Sequence, residues 1–543
     1  MEETRVETLD GEAFPVPVKV TLGRAIRPVW DSVAAYPEAI LFIVLFAHFA
    51  AFSTLAIITH PTLDLDVIEQ ISWAHNIEWG YYKHPPLPAW SLAALLTLTG
   101  GHPWIGAIAG PAAATLGLWL VWLLARRILD PARALPAVLL LEGVVYFNVL
   151  SLEFNHNVIQ LPLWAFIAYA SHRAIREGRT QDWLLFGFAA ALGMLGKYST
   201  ALLLLSIGGY ILFDPVARQH LTRKGPWIAV LTGTLLLIPH MNAVYAYNFS
   251  PLLTPSNELL IAASFWQRFG FPAGWLLAQL GDIAAALILA AVLFTGRATK
   301  IRVPGSEVAR ADRNFILFLF LGPLLFAVAF QGLGGVRFRD MWGFPMFDFL
   351  GLAIMALTAT NALFQERIKR FAFAGMGVFT LAVTATAAMI AGAPYFLHQG
   401  GRAQYPSQAA ASAIAKAWDT QTEGRPLKIV IGETWLAGML SVYHPDHPSL
   451  LIDGEWWKSP WIHKSQLSED GAVLIWDVRK EDLHQALLSA FPGAIDQPKL
   501  SLPYVTGAEV PPARLGWAIL KPTQQASGHL AERDASTLDT PHL

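Results

Sequence analysis

The chain contains no cysteine. Disulfides, thiol nucleophiles and cysteine-bound metals are therefore excluded, although this absence does not fix a compartment. Charge is also scarce. Asp, Glu, Lys and Arg make up 14% of the 543 residues, against about a quarter in soluble domains. The two signs nearly cancel, leaving a formal net charge of -2, which argues against nucleic acid as a partner. There is no internal repeat and no metal-ligand motif, and no metal site is expected, although 16 histidines leave nitrogen donors on offer.

Apolar residues are what the chain has instead: 54% are hydrophobic. This composition reads as a polytopic α-helical membrane protein. About eleven spans are expected, near 37–59, 104–125, 133–150, 158–170, 182–195, 199–213, 227–244, 273–295, 314–333, 344–363 and 371–397. Basic residues follow every second window: Arg126 and Arg127, Arg173 and Arg176, Arg218 and Arg223, Arg297 and Lys300, Arg367 and Lys369. They share a side with the N-terminus, and the positive-inside rule makes that side cytoplasmic. An odd number of spans then puts the loop Asp64–Trp90 and the C-terminal region on the opposite face.

Residues 1–36 read as a cytoplasmic segment without a cleavable signal, with an interfacial helix over Val18–Trp30. Residues 37–397 form the membrane domain. From 398 the pattern changes. Lys428–Glu433, Ala472–Val478 and Gly516–Leu520 are strand-like, and Trp435–Tyr443 and Lys480–Ala490 helix-like, which predicts a small α/β domain over 398–521. Residues 522–543 read as a disordered tail.

Ionisable residues gather at the mouth of the expected bundle, where a membrane enzyme places its chemistry. In the first loop, Val67–Trp79 reads as a short amphipathic helix and Leu87–Thr99 as a second helix too short to span. Asp66 can accept a proton from an attacking hydroxyl, and Glu69, three residues on, shares its helical side. The bland alternative is a helix start, with Asp64 or Asp66 as N-cap and Glu69 completing a capping box. Lys197, between two apolar runs, can meet a lipid phosphate or simply snorkel. Glu153, Asn155, His156 and Asn157 cluster before the fourth span. Arg337 and Arg339 fall on the extracytoplasmic side, against the charge trend, and suit a phosphate, or a local pair with Asp340. Trp456, Trp457 and Trp461 suit a sugar platform, a bilayer contact or a domain core.

Asp66 followed by Gly80, Tyr81, Tyr82, His84, Pro85, Pro86 and Leu87, and then by the G-K-Y of Gly196–Tyr198, resembles the GT-C fold glycosyltransferases that use polyprenyl-phosphate sugars. This group, glycosyltransferase family 39, includes protein O-mannosyltransferases, the lipid A aminoarabinose transferase and rhizobial lipopolysaccharide galacturonosyltransferases. The resemblance covers most of residues 37–400 and, loosely, the C-terminal domain. It implies a catalytic acid at Asp66 and a donor-phosphate contact at Lys197, with Glu69 as second acid and Tyr82, His84, Arg337 and Arg339 around the phosphate. It further implies inverting transfer to an extracytoplasmic glycolipid, polysaccharide or protein in a bacterial inner membrane. Glu153, His156 and Asn157 form a second polar cluster on the acceptor side. Many relatives carry aspartate where this chain has Asn157, so any second acidic role there falls to Glu153. A divalent cation beside Asp66 or Glu69 is compatible with their carboxylates, and no other cofactor is implied. The rival reading is a transporter or lipid flippase, since intramembrane charges and broken spans suit one.

Overall fold

The computed structural model describes residues 36–257, 260–294, 308–358 and 362–523. The expected helix over Val18–Trp30 and most of the expected tail lie outside them. Each apolar window coincides with a helix or a broken helix. Five helices are long and apolar enough to cross a membrane: α1 (Pro37–Thr59), α4 (Trp104–Ile128), α9 (Lys224–Ala246), α12 (Arg310–Gly334) and, from Arg367, α14 (Ala362–Leu397). Two bent pairs raise the count to seven. In one, α5 (Pro131–Leu139) and short 3₁₀ turns to Ser151 bend by 85°; in the other, α10 (Phe265–Asp282) and α11 (Ala284–Phe294) bend by 60°. The remaining windows are shorter helices: α6 (Gln160–Glu177), α7 (Thr180–Gly196), α8 (Thr200–Phe213) and α13 (Leu350–Ala356). The breaks interlock. A Cβ on Gly143 would sit 2.4 Å from the backbone nitrogen of Ala286, so only glycine lets one bend nest in the other.

The first two basic clusters meet at one end of the bundle. Arg126 pairs with Glu38, Arg127 with Glu177, and Arg176 with Asp312, tying α1 to α4, α4 to α6, and α6 to α12. The first loop lies at the other end. Its α2 (Leu65–Ala74) and α3 (Leu87–Leu98) precede α4. The helix expected to run to Trp79 ends at Ala74. The chain turns back there because the Tyr81 hydroxyl bonds the carbonyls of Trp73 and Asn76, both at 3.1 Å, and the Tyr81 ring stacks on Trp73 at 4.5 Å.

After α15 (Ser407–Thr422) the chain builds a six-stranded sheet, with β1 (Leu260–Ile261) and β2 (Val336–Arg337) a separate antiparallel pair. Strand β3 (Ile429–Gly432) lies between β4 (Ser449–Ile452) and β5 (Ala472–Asp477), parallel to both. Helix α16 (Thr434–Tyr443) crosses from β3 to β4, and α17 (Lys464–Asp470) from β4 to β5. Beyond α18 (Glu481–Ala490), β6 (Ile495–Asp496) and β7 (Leu500–Leu502) pair with β8 (Ala513–Leu520), which is antiparallel to β5. Nearly every residue of β3 and β5 is buried, as expected of parallel strands covered on both faces.

One sheet face continues the core of the bundle. Val430, Leu450 and Val473 join the same hydrophobic cluster as Val67, Ile68 and Ile71 of α2. Thr62 donates to the Tyr405 carbonyl at 2.5 Å, and the Leu63 N–H donates to the Tyr443 hydroxyl at 2.9 Å. The first loop and the C-terminal sheet are thus one packed unit on one face.

Candidate active site

Helix α2 carries the carboxylates. Its apolar residues Val67, Ile68, Ile71 and Ala74 recur at helical spacing and are buried, which fixes how Asp66 and Glu69 face. Asp64 occupies the N-cap position, but its side chain makes no capping bond, and neither does a box with Glu69 form. The helix-start alternative therefore does not account for these acids.

Asp66 is held by the segment before α6. Asn155 Nδ2 donates to Asp66 Oδ2 at 3.0 Å, and the Asp66 N–H donates to Glu153 Oε1 at 3.0 Å. Asn155 Oδ1 turns the other way and accepts from the N–H groups of Asn157 and Val158, at 2.8 and 3.1 Å. That bond pins the next residue, whose Oδ1 accepts from Lys197 Nζ. The amide at position 157 thus takes a hydrogen bond from the lysine without cancelling its charge. Lys197 also lies over the Trp342 ring, 5.7 Å from its centroid. One five-residue segment grips the acid with one asparagine and the lysine with another.

Glu69 is 2% exposed, and Lys83 Nζ lies 2.8 Å from its Oε1. Burial pushes Glu69 up to about 7 even though the Lys83 ammonium pulls it down. Burial, with the like charges of Asp66 and Asp64, pushes Glu153 up to about 8. This shift favours the neutral form of Glu153 and so weakens the negative charge facing Asp66.

The His84 and His156 rings pack against each other with centroids 4.0 Å apart, tilted by 33°. Burial holds both far below the ordinary range, and the charges of Lys83 and Lys197 lower each further. His156 Nε2 donates to the Pro85 carbonyl at 3.1 Å, so Nδ1 is the bare nitrogen, accepting from Gln70 at 3.4 Å. A neutral His84 can hydrogen-bond a phosphate but cannot balance its charge. The two lysines flanking the ring pair can do both. Tyr82 lies between Lys83 and Lys458, at 5.9 and 5.6 Å from its centroid.

Arg337 lies on β2 and Arg339 just beyond, both exposed; the tie from their segment to Lys197 runs through Trp342. Trp457 meets Tyr82 edge-on at 5.7 Å and Trp461 meets Tyr81 at 6.1 Å, so these tryptophans dock the sheet onto the G-Y-Y-K-H segment. Lys83 was given no role on sequence grounds. Its signal was its place inside the motif, between Tyr82 and His84. Among the described residues, no three His, Asp or Glu side chains are grouped to hold a metal ion.

Protonation should be visible in stability. Glu69 and Glu153 bind protons more tightly in the folded chain than at the ordinary 4.5, so their contribution is full below that value. It is lost as pH rises through about 7 and about 8. The depressed histidines act oppositely, but only below their ordinary 6.5. Between pH 6.5 and 9 the melting temperature of detergent-solubilised protein is expected to fall, and Glu69→Gln with Glu153→Gln to flatten that fall. A melting temperature that rises across this window contradicts the assignment.

A bundle with paired acids and lysines at its mouth, under a docked α/β layer, belongs to a group-transfer enzyme of the membrane. Residues 83–242 match the protein family described as dolichyl-phosphate-mannose-protein mannosyltransferase. The chain is 24% identical to the lipopolysaccharide core galacturonosyltransferase RgtA of Rhizobium johnstonii, over 88% of this chain and 97% of that one. It is 30% identical to the undecaprenyl phosphate-alpha-4-amino-4-deoxy-L-arabinose arabinosyl transferase of Pseudomonas aeruginosa, over 32% of each. Its fold is similar to the crystal structure of ArnT from Cupriavidus metallidurans bound to undecaprenyl phosphate. There the TM-score is 0.56 at 14% identity, over 92% of this chain and 98% of that one. These likenesses define a membrane glycosyltransferase and decide against the transporter reading. Within that class, the fold of the chain is similar to that of the GT-C glycosyltransferases.

Proposed function

We propose that the chain moves a sugar from a polyprenyl-phosphate donor to a saccharide-bearing acceptor on the extracytoplasmic face of a bacterial inner membrane. RgtA is named for the lipopolysaccharide core, and the ArnT crystal holds undecaprenyl phosphate, which supports an envelope glycan as acceptor and a polyprenyl phosphate as carrier. The carrying observation is the Glu153–Asn157 segment, which bonds Asp66 at one asparagine and Lys197 at another two residues away. Two residues span at most about 7 Å along the chain, so the two asparagines that hold base and cation are near neighbours on one segment.

In this reading Asp66 takes the proton from the acceptor hydroxyl as its oxygen attacks the anomeric carbon. The bond from that carbon to the phosphate oxygen breaks, and its electron pair leaves with polyprenyl phosphate. Lys197 and Lys83 stabilise the charge that develops there. A single displacement inverts the anomeric centre. Residues 37–397 form the catalytic membrane unit and 398–521 the extracytoplasmic unit.

Purified protein should release undecaprenyl phosphate from a labelled undecaprenyl-phosphate sugar when core oligosaccharide is added. No release from any of several such donors would overturn the reading. Orientation is tested separately. A reporter fused after residue 400 is expected outside the cytoplasm and one after Lys224 inside it; the same side for both contradicts the topology.

A further inference from the structure

The chain leaves β3 first to one side, forming β4, and then to the other, forming β5. The carboxyl ends of β3 and β5 therefore flank a point where the strand order reverses. In open parallel sheets, ligands bind in the crevice at such a point. Here Glu433, just after β3, and Arg479, just after β5, line a cavity of about 1100 Å³. Leu65, the neighbour of Asp66, is also in its wall. The cavity exceeds the roughly 300–1,000 Å³ that hold a drug-sized molecule.

The charges of the wall are unequal. Asp477 is paired with Arg479, Glu433 with Lys480 and Asp453 with Lys458, so each of these carboxylates already has a cation. Arg402 and Arg514 line the cavity too, and neither makes an ion pair among the described residues. The surplus is positive. Arg402 lies over the Trp435 ring at 5.4 Å, and Tyr405 meets Trp435 at 4.9 Å and Tyr504 at 5.8 Å. Aromatic faces cover the C–H face of a sugar ring, and ion-paired carboxylates accept its hydroxyls. A guanidinium fork matches a carboxylate or phosphate in two bonds. The Arg402 charge also reaches Asp64 and Glu153, the acids that neighbour Asp66.

We infer that this crevice binds the acceptor and that the acceptor is an anionic saccharide, an inference that rests on the transferase reading above. The anionic group and its neighbouring rings lie among Arg402, Arg514 and Trp435. The reacting hydroxyl extends over Leu65 to Asp66.

The test uses the full chain in detergent. The probe is deacylated lipopolysaccharide core oligosaccharide, compared with the same material after carboxyl reduction and dephosphorylation. Arg514 is exposed, so Arg514→Ala should fold; Arg402→Gln is the second variant. Calorimetry is expected to show the anionic oligosaccharide binding wild type at least tenfold more tightly than its neutralised form. Each variant should lose at least tenfold for the anionic form, while binding undecaprenyl phosphate as wild type does. Equal binding of the two forms, or unaltered variants, overturns the inference. So does failure of a protein that still binds undecaprenyl phosphate to bind either form, and that outcome leaves the donor side of the transferase reading standing. Loss of undecaprenyl phosphate binding by wild type brings down both.

Discussion

Asp66→Asn is expected to lower sugar transfer by about 10²–10⁴-fold, the range that general-base catalysis contributes. Donor binding and the melting temperature should stay near wild type. The amide keeps the shape, and its Oδ1 can still accept from Asn155, which now holds Asp66 at 3.0 Å. What it loses is the ability to take a proton. A helix-start role predicts another result, because asparagine starts helices about as well as aspartate. Transfer measured at saturating donor and acceptor separates the two, and full activity in Asp66→Asn removes the residue from the mechanism.

Lys197→Met is expected to cut turnover by about 10²–10³-fold, the scale of losing one preorganised group at a developing charge. Methionine keeps most of the apolar stem but offers no charge to the departing phosphate. It also strands the Asn157 carbonyl oxygen, which now accepts from the ammonium. Lys197→Arg is the control. It keeps the charge over Trp342 but replaces a compact ammonium by a planar fork, so partial activity is expected. A lysine that merely snorkels would tolerate methionine. Unchanged release of polyprenyl phosphate by Lys197→Met would therefore end its assignment and leave Lys83, with its tie to Glu69, as the candidate phosphate contact.

The helices were legible because apolar runs report burial or lipid directly, and the windows near 133–150 and 273–295 proved to be the two bent pairs. Their bends were hidden, since Pro136 and Pro272 lie inside helices away from the breaks, and nesting at Gly143 depends on a distant partner. Strands β3 and β5 showed as short β-branched runs, whereas β6 and β7, at two and three residues, carry too little pattern to register. At the site, the nearness of Asp66 and Lys197 to one polar segment could be expected from residue type and place, and the structure ties both to Glu153–Asn157. The Lys83–Glu69 pair could not, because it forms only when the coil after Ala74 folds back under Trp73. The tryptophans at 457 and 461 were ambiguous for the same reason: their partners, Tyr82 and Tyr81, are some 375 residues away in the chain, a separation only the tertiary fold closes.

At the contact between α16 and α2, a Cβ placed on Gly438 would stand 2.7 Å from Ile68 Cγ2 and 3.1 Å from Ser72 Oγ. This has a bearing on how such enzymes diversify. A C-terminal half grafted from a relative, carrying even alanine at this position, would lift α2 by tenths of an ångström and carry Asp66 with it. On the reading that the crevice holds the acceptor, its range and the loop at 61–90 are expected to be inherited together. Chimeras that exchange acceptor preference should succeed when the crossover takes residues 61–90 along with the sheet, and stall when it leaves them behind.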